Sequence, residues 1–598
     1  MVPGGKRWRA VSKSAAKILL AGVVVLLSAG VYGAYGFWAY HPSDDGVVLG
    51  LAWRVAGGEV PYRDFIFLRP PLSAYLHSLW MLLPAGSQFL AARLGFYLQI
   101  SLTVLLPAWW ALGRGLFKMG VANLCLVATA WFLAIHIFPP MPWTTVDGVM
   151  LGYGGLVLWL YALDRGRGLA AGLGLRFAAG LCFGLAALCK QNFAVLPAWY
   201  LGATGLETLW GWRRQGRLTA RLAAGAGAAL LPLVLIAGVF LWLLHAAGAL
   251  EPFYHQVIQS HFHGYLGAYG FATYMTSFKR LLAGAAAIIL VALAYRYLPR
   301  TRPWWPVAIL VAALLGVAGM VFYTVWILDP YDQVSMGAKW ALGLVAGAGA
   351  WVLWVMRRGS QQDFWPAAVL CSGVVLLGWS ASLSIGWNTP LLGLGGAGAV
   401  LAMAHDRAVA NRAGRRLAAA AALVCLLVVA GSFLAFNYQH PYMDQPRAAL
   451  TSDLADIYPR FGRLYSNPCN HARHAALAAT ARDLTRRYPG VKLAVVGEFP
   501  LFHYLSGTRN PTSIDWWNPW EYAGCQDRLR RDLEQPGLLI ILDNPQRYQD
   551  QGCFPQRPGK DKMKTWIRRR FPLLGCGRFF CVYGRPPGSG QRQARPAP

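Results

Sequence analysis

Residues 18–40 read ILLAGVVVLLSAGVYGAYGFWAY, and residues 41–75 continue HPSDDGVVLGLAWRVAGGEVPYRDFIFLRPPLSAY. The first piece carries no charge. A helix needs about 20 mostly apolar residues to cross the hydrocarbon core, so it predicts a membrane span. Its aromatic end, Phe37, Trp38 and Tyr40, suits an anchored helix better than a cleaved signal. The second piece breaks that pattern with an acidic pair, a polar helix-like segment and four prolines. It predicts an extramembrane loop over about 41–89 with structure of its own. Within it, DDGVVLGLAWRVAGG has apolar residues at helical spacing behind Ser43, a good N-cap, and predicts an amphipathic helix on the membrane surface. Pro61, Pro70 and Pro71 interrupt regular structure, and PLSAYLHSLWMLL predicts a second short helix.

Apolar runs recur outward from there, near 90–112, 119–138, 147–163, 169–189, 191–210, 221–245, 281–298, 303–327, 337–356, 364–385, 388–404 and 415–436. With the first run they make about thirteen spans. The chain has 598 residues, of which 56% are hydrophobic and 13% charged, against about 25% charged in soluble domains. The net charge of +30 does not point to nucleic acid. Its residues gather before the first span (Lys6, Arg7, Arg9, Lys13, Lys17) and then in every second loop. The clusters include Arg114 and Lys118; Arg165 and Arg167; Arg213, Arg214 and Arg217; Arg357 and Arg358; and Arg412, Arg415 and Arg416. The short loops between them, 139–146 and 386–390, carry none. This positive-inside pattern places the N-terminus in the cytoplasm, and an odd span count places the C-terminal segment outside. The fold class expected is a multi-pass α-helical membrane module over 1–436, an extracytoplasmic α/β domain over 437–585 and a disordered tail over 586–598. In the domain, 472–488 reads as a helix, 492–498 and 538–543 as buried strands and 580–584 as a third strand, giving a partly parallel sheet.

Acidic residues are scarce in the membrane part. Asp44 and Asp45 lie just beyond the first span, and Asp147 starts the fourth. Arg69 precedes Pro70 and is therefore extended. Lys190 ends the fifth span on the otherwise cation-poor side. Ionisable groups at such depth default to function. Carboxylates beside cations at the outer lipid boundary fit transfer of a sugar from a polyprenyl-phosphate carrier: a carboxylate takes the acceptor proton, and cations neutralise the leaving phosphate. The structural alternatives are a helix cap for the acids, headgroup contact for Arg69 and snorkelling for Lys190. Glu59, Arg63 and Asp64 read as a structural ion-pair network. His255, His261 and His263 read as part of an interfacial loop rather than a metal cluster. Five cysteines (Cys125, Cys182, Cys189, Cys371, Cys425) lie in spans. The other five (Cys469, Cys525, Cys553, Cys576, Cys581) allow two disulfides and one leftover thiol, with the pairing open.

The stretch SDDGVVLGLAWRVAGGEVPYRDFIFLRPPLSAYL resembles the first outer loop of GT-C membrane glycosyltransferases. It is similar in particular to the bacterial branch of aminoarabinose transferases, protein O-mannosyltransferase-like enzymes and lipopolysaccharide-core galacturonosyltransferases. GLAALCKQN and VVGEFPLFHYLSGTRNPT resemble further segments of that group. The resemblance implies a base at Asp44 and phosphate contact at Arg69, and it picks out Lys190. Asp45 stands where many relatives carry Glu, which leaves both aspartates as candidate bases. It also implies a reaction without metal or cofactor in a bacterial inner membrane. The partners would be membrane lipids, a polyprenyl-phosphate sugar donor and an envelope lipid, glycan or protein acceptor. The competing classes are a transporter or flippase of lipid-linked sugars, which would place charge near the bilayer midplane and show repeated halves, and a non-enzymatic envelope assembly protein.

Overall fold

The computed structural model describes residues 13–585 apart from 136–138, 165–167, 218, 260–304, 327–329, 358–360, 383–388, 410–411, 440, 442–443, 520, 523 and 545–560. The expected span near 281–298, together with His261 and His263, lies outside the described residues.

The apolar runs become helices: α1 (Lys13–Tyr35), α4 (Ala85–Gly113), α5 (Val121–Ile135), α6 (Thr144–Ala162), α7 (Leu169–Cys189), α8 (Val195–Gln215) and α9 (Ala220–Ala246), with α2 (Val47–Ala56) and α3 (Leu72–Ser78) between the first two. A one-turn α10 (Leu250–Phe253) follows, then α11 (Trp305–Trp326), α12 (Pro330–Met356), α13 (Gln361–Ser382), α14 (Ala397–Ala408) and α15 (Arg412–Gln439). Among the described residues, seven helices are long and apolar enough to cross a membrane. They keep large apolar side chains on the outside of the bundle, such as Ile18 and Leu26 on α1, Val239 and Trp242 on α9, and Leu427 on α15. In water such a surface would be unfavourable; facing lipid it is not. Inside, Trp110, Trp131 and Trp159 are fully buried, and the Trp131 indole donates to Ser101 Oγ at 3.0 Å, a polar link between helices of the kind lipid favours.

The bundle has two distinct ends. At one, Lys13 Nζ reaches the Gly113 carbonyl at 3.3 Å, Arg114 pairs with Asp164 at 2.9 Å and with Asp363 at 2.8 Å, and Asn123 donates to Asp406 at 2.8 Å. The start of α1, the residues after α4 and α6 and the start of α13 therefore share one face, as the alternating basic loops require. The loop from 36 to 84, the start of α6 and the end of α7 lie at the other.

That other end is capped by a C-terminal unit. A two-residue ribbon, β1 (Ser452–Asp453) with β2 (Tyr465–Ser466), is followed by α16 (Pro468–Arg487), β3 (Lys492–Val496), α17 (Phe502–Ser506), α18 (Gln526–Leu533), β4 (Leu538–Asp543), α19 (Lys562–Arg570), β5 (Leu573–Cys576) and β6 (Phe580–Gly584). The sheet order is β3-β4-β6-β5; β3 is parallel to β4 and the other pairs are antiparallel. The three expected strands are present. β5 went unread because its side chains are all exposed, so it lacks a buried-strand pattern. It is an edge strand closed onto β6 by the Cys576–Cys581 disulfide. Cys469 is also disulfide-bonded, and Cys525 is a free thiol.

The expected surface helix differs from α2. It begins at Val47, with no side-chain cap on Gly46, because the Ser43 oxygen accepts the Trp516 indole N–H at 2.7 Å and Asp45 is held by Arg93. Nor does it lie open on a surface: Val47, Leu49, Leu51 and Ala52 are buried, because the C-terminal unit packs on the Leu49 side while Phe65, Phe67 and Leu244 pack on Val47 and Leu51. A Cβ on Gly46 would run into Leu501, and one on Gly50 would stand 2.6 Å from the Pro500 carbonyl oxygen. Only glycine allows the two segments to approach this closely.

Candidate active site

The turn between α1 and α2 places the two aspartates in different surroundings. The Asp45 carboxylate bonds Arg93, and both side chains are 1% exposed. Arg93 also donates to the carbonyls of Gly36 at 3.0 Å, Trp38 at 3.2 Å and Ala39 at 2.7 Å. Burial pushes the Asp45 carboxyl up, and the Arg93 guanidinium pulls it back. A small cavity lined by His41, Arg93 and Pro140 lies beside Asp45. Asp45 and Arg93 are thus the lock of the turn. The Asp44 side chain keeps 19% exposure, with Oδ2 3.8 Å from His41 Nδ1. His41 Nδ1 also accepts the Asp44 backbone N–H at 2.7 Å, so the ring fixes the direction in which Asp44 leaves the chain. Burial lowers the His41 pKa to about 4, and the imidazole is neutral at physiological pH.

Arg69 is positioned by the PYRDF turn. Tyr62 takes φ +71°, a conformation rare for a bulky residue. Its carbonyl is held by Gln256 at 2.9 Å and Arg528 at 2.8 Å, and its hydroxyl donates to the Arg69 carbonyl at 2.7 Å. The strained residue therefore fixes the backbone that presents the cation. The Arg69 guanidinium stands beside the edge-to-face pair of Trp143 and Trp516, 6.0 Å and 5.9 Å from their ring centroids. Its two terminal nitrogens bond Glu521 at 2.8 Å and 2.6 Å. Lys190, just past α7, donates to Thr145 Oγ1 at 2.9 Å and lies within electrostatic reach of both Arg69 and Glu521. Trp516 ties the pieces together: its ring covers Arg69, and its N–H holds Ser43, next to Asp44.

Three of the five residues expected from sequence, Asp44, Arg69 and Lys190, thus stand around one outer patch, with Asp45 in its foundation. Asp147 sits at the same end but is fully buried. His77 Nε2 lies 3.1 Å from each of its oxygens, and Gln99 donates to it at 2.7 Å. The Trp80 indole donates to His77 Nδ1 at 2.9 Å, which leaves the imidazole proton on Nε2, facing the carboxylate. Asp147 here joins α3, α4 and α6 beneath the patch. The expected Glu59–Arg63–Asp64 network divides in two: Arg63 pairs with Asp64 at 2.8 Å, and Glu59 pairs with Arg54 at 2.7 Å and Arg509 at 3.1 Å.

Sequence reading missed Trp143, Trp516, Glu521, Arg54 and Arg93. Arg54 looked like the polar face of α2. It is buried and binds Asp515 at 3.1 Å and the Thr512 carbonyl at 3.0 Å, which sets the loop that carries Trp516. Arg93 did carry a signal, as a lone charge inside a predicted span. Among the described residues, no group of His, Cys, Asp and Glu has a metal-binding arrangement.

Compared with solved structures, the chain is similar to ArnT from Cupriavidus metallidurans in its apo state. The identity is 13% over 96% of this chain and 98% of that one, with a TM-score of 0.45. For ArnT bound to undecaprenyl phosphate, the identity is 14% over the same shares, with a TM-score of 0.42. It is also similar to the Archaeoglobus fulgidus oligosaccharyltransferase, at 13% identity over 91% of this chain and 71% of that one, with a TM-score of 0.46. No family model and no curated protein matches.

Proposed function

We propose that this chain is a membrane glycosyltransferase that moves a sugar from a polyprenyl-phosphate donor to a hydroxyl of an envelope lipid, glycan or protein at the outer face of the inner membrane. Asp44 is the base. It takes the acceptor proton as the acceptor oxygen bonds the anomeric carbon; the bond from that carbon to the phosphate oxygen breaks, and the polyprenyl phosphate leaves. Attack opposite the leaving group inverts the anomeric centre. A phosphate leaves without protonation, so no general acid is required. Arg69 and Lys190 offset the charge that grows on it, and Trp143 and Trp516 keep the guanidinium in place.

One observation carries this reading: the single accessible carboxylate of the acidic pair and two cations, drawn from three separated stretches, border one patch beneath the C-terminal unit. A transporter would carry charge near the bilayer midplane. Among the described residues, the pairs Asp45–Arg93, Arg114–Asp164 and Arg114–Asp363 gather toward the two ends of the bundle, while Arg176–Glu207 lies between α7 and α8. The test is transfer from a polyprenyl-phosphate-linked sugar by Asp44→Asn. Loss of a positioned base lowers turnover by about 10²–10⁴-fold; turnover within a few fold of the unmodified protein refutes the assignment.

A further inference from the structure

The strongest grip on Arg69 comes from the protein itself. Glu521 meets both terminal nitrogens of the guanidinium side by side, at 2.8 Å and 2.6 Å. That planar fork is the geometry by which a guanidinium binds a phosphate. Glu521 also lies within reach of Lys190, so one carboxylate partly neutralises both cations of the patch. A phosphate arriving with Glu521 in place would find the fork occupied and would meet a like charge beside it.

Glu521 is placed to give way. The pair lies at the rim, with side chains 14% and 12% exposed, where water can take over a released carboxylate. The neighbouring Tyr522 is anchored in the C-terminal unit, with its hydroxyl on Asp561 at 2.9 Å, so a side-chain rotation of Glu521 frees Arg69 without unseating the domain. The paired tryptophans still stand beside the guanidinium once the carboxylate has left.

We propose that Glu521 is a built-in competitor for the anion site: its carboxylate holds the Arg69 fork until a lipid phosphate displaces it. The inference deepens the glycosyltransferase reading and rests on Arg69 as its phosphate contact. The empty patch would then be prevented from capturing stray anions, and donor binding would be coupled to movement at the seam between bundle and C-terminal unit.

The test measures undecaprenyl phosphate binding to the full-length protein in lipid nanodiscs. Removing a competing carboxylate from an ion pair at the rim, taken at the upper end of what such a pair is worth, predicts a roughly fivefold lower Kd for Glu521→Gln, with Glu521→Ala in the same direction and thermal melting as the check on folding. The gain must disappear in an Arg69→Ala background. Unchanged or weaker binding by both Glu521 variants overturns the proposal, because it makes Glu521 a positioning partner of Arg69. An equal gain with and without Arg69 overturns it too, because the effect is then a general field. If Arg69→Ala alone leaves binding unchanged, the phosphate contact itself fails, and the functional reading fails with it.

Discussion

Replacing Gly50 by alanine sets helix propensity against packing, with opposite signs. Gly50 lies inside α2, where alanine is worth up to about 1 kcal/mol more than glycine. The added Cβ would stand 2.6 Å from the Pro500 carbonyl oxygen. That oxygen is backbone and cannot rotate aside, so the C-terminal unit must back away from α2. Overpacking of this kind costs about 1–3 kcal/mol, and the rigid neighbour argues for the upper end, a net loss of about 2 kcal/mol. The loss falls on the seam that brings Trp516 to Ser43 and Glu521 to Arg69. Hydrogen exchange in nanodiscs is therefore expected to rise at residues 500–517 of Gly50→Ala while the bundle stays protected, and transfer activity falls with it. Gly30→Ala in α1, where nothing lies within 4 Å of the new methyl, is the control and leaves both unchanged. A Gly50→Ala protein with equal or higher melting temperature and unchanged exchange would refute the close-approach reasoning.

Asp45→Asn and Arg93→Met each leave a buried partner uncompensated and cost about 3–5 kcal/mol. Both lower the melting temperature, the double variant recovers part of the loss, and Asp44→Asn leaves melting unchanged. Burial lowers the pKa of His41 and His503 to about 4 and of His474 to about 3. Each folded-state value lies below the ordinary 6.5, so the stability these histidines contribute is complete above pH 6.5 and is lost as pH falls toward 4. A scan of melting temperature should decline through that window, and His474→Phe should flatten it. Arg54→Lys keeps the charge but loses the fork that holds Glu59 and Asp515. It should loosen the loop carrying Trp516 and reduce turnover without unfolding the bundle, as seen by exchange at residues 510–517.

The spans were legible because the bilayer imposes a length and a polarity that local sequence must meet: the run at 169–189 matches α7 to the residue. The strands of the C-terminal unit were legible where they are buried, as in β4, and not where they are exposed, as in β5. In the site, the first outer loop was readable because acids and prolines stand out against an apolar background. Glu521 was not, because an acid in a polar domain carries no such contrast and its role depends on packing across some 450 residues of chain. The division of labour between Asp44 and Asp45 was hidden for a similar reason. It is set by Arg93, which reaches back from α4 to only one of them.

A structure of the Asp44→Asn protein in nanodiscs with a polyprenyl-phosphate-linked sugar is the most direct measurement. The donor phosphate is expected on Arg69 and Lys190, the anomeric carbon turned toward residue 44, and Glu521 displaced. A donor phosphate bound away from Arg69, or at the basic end of the bundle, would contradict an outward-facing site built from the first loop.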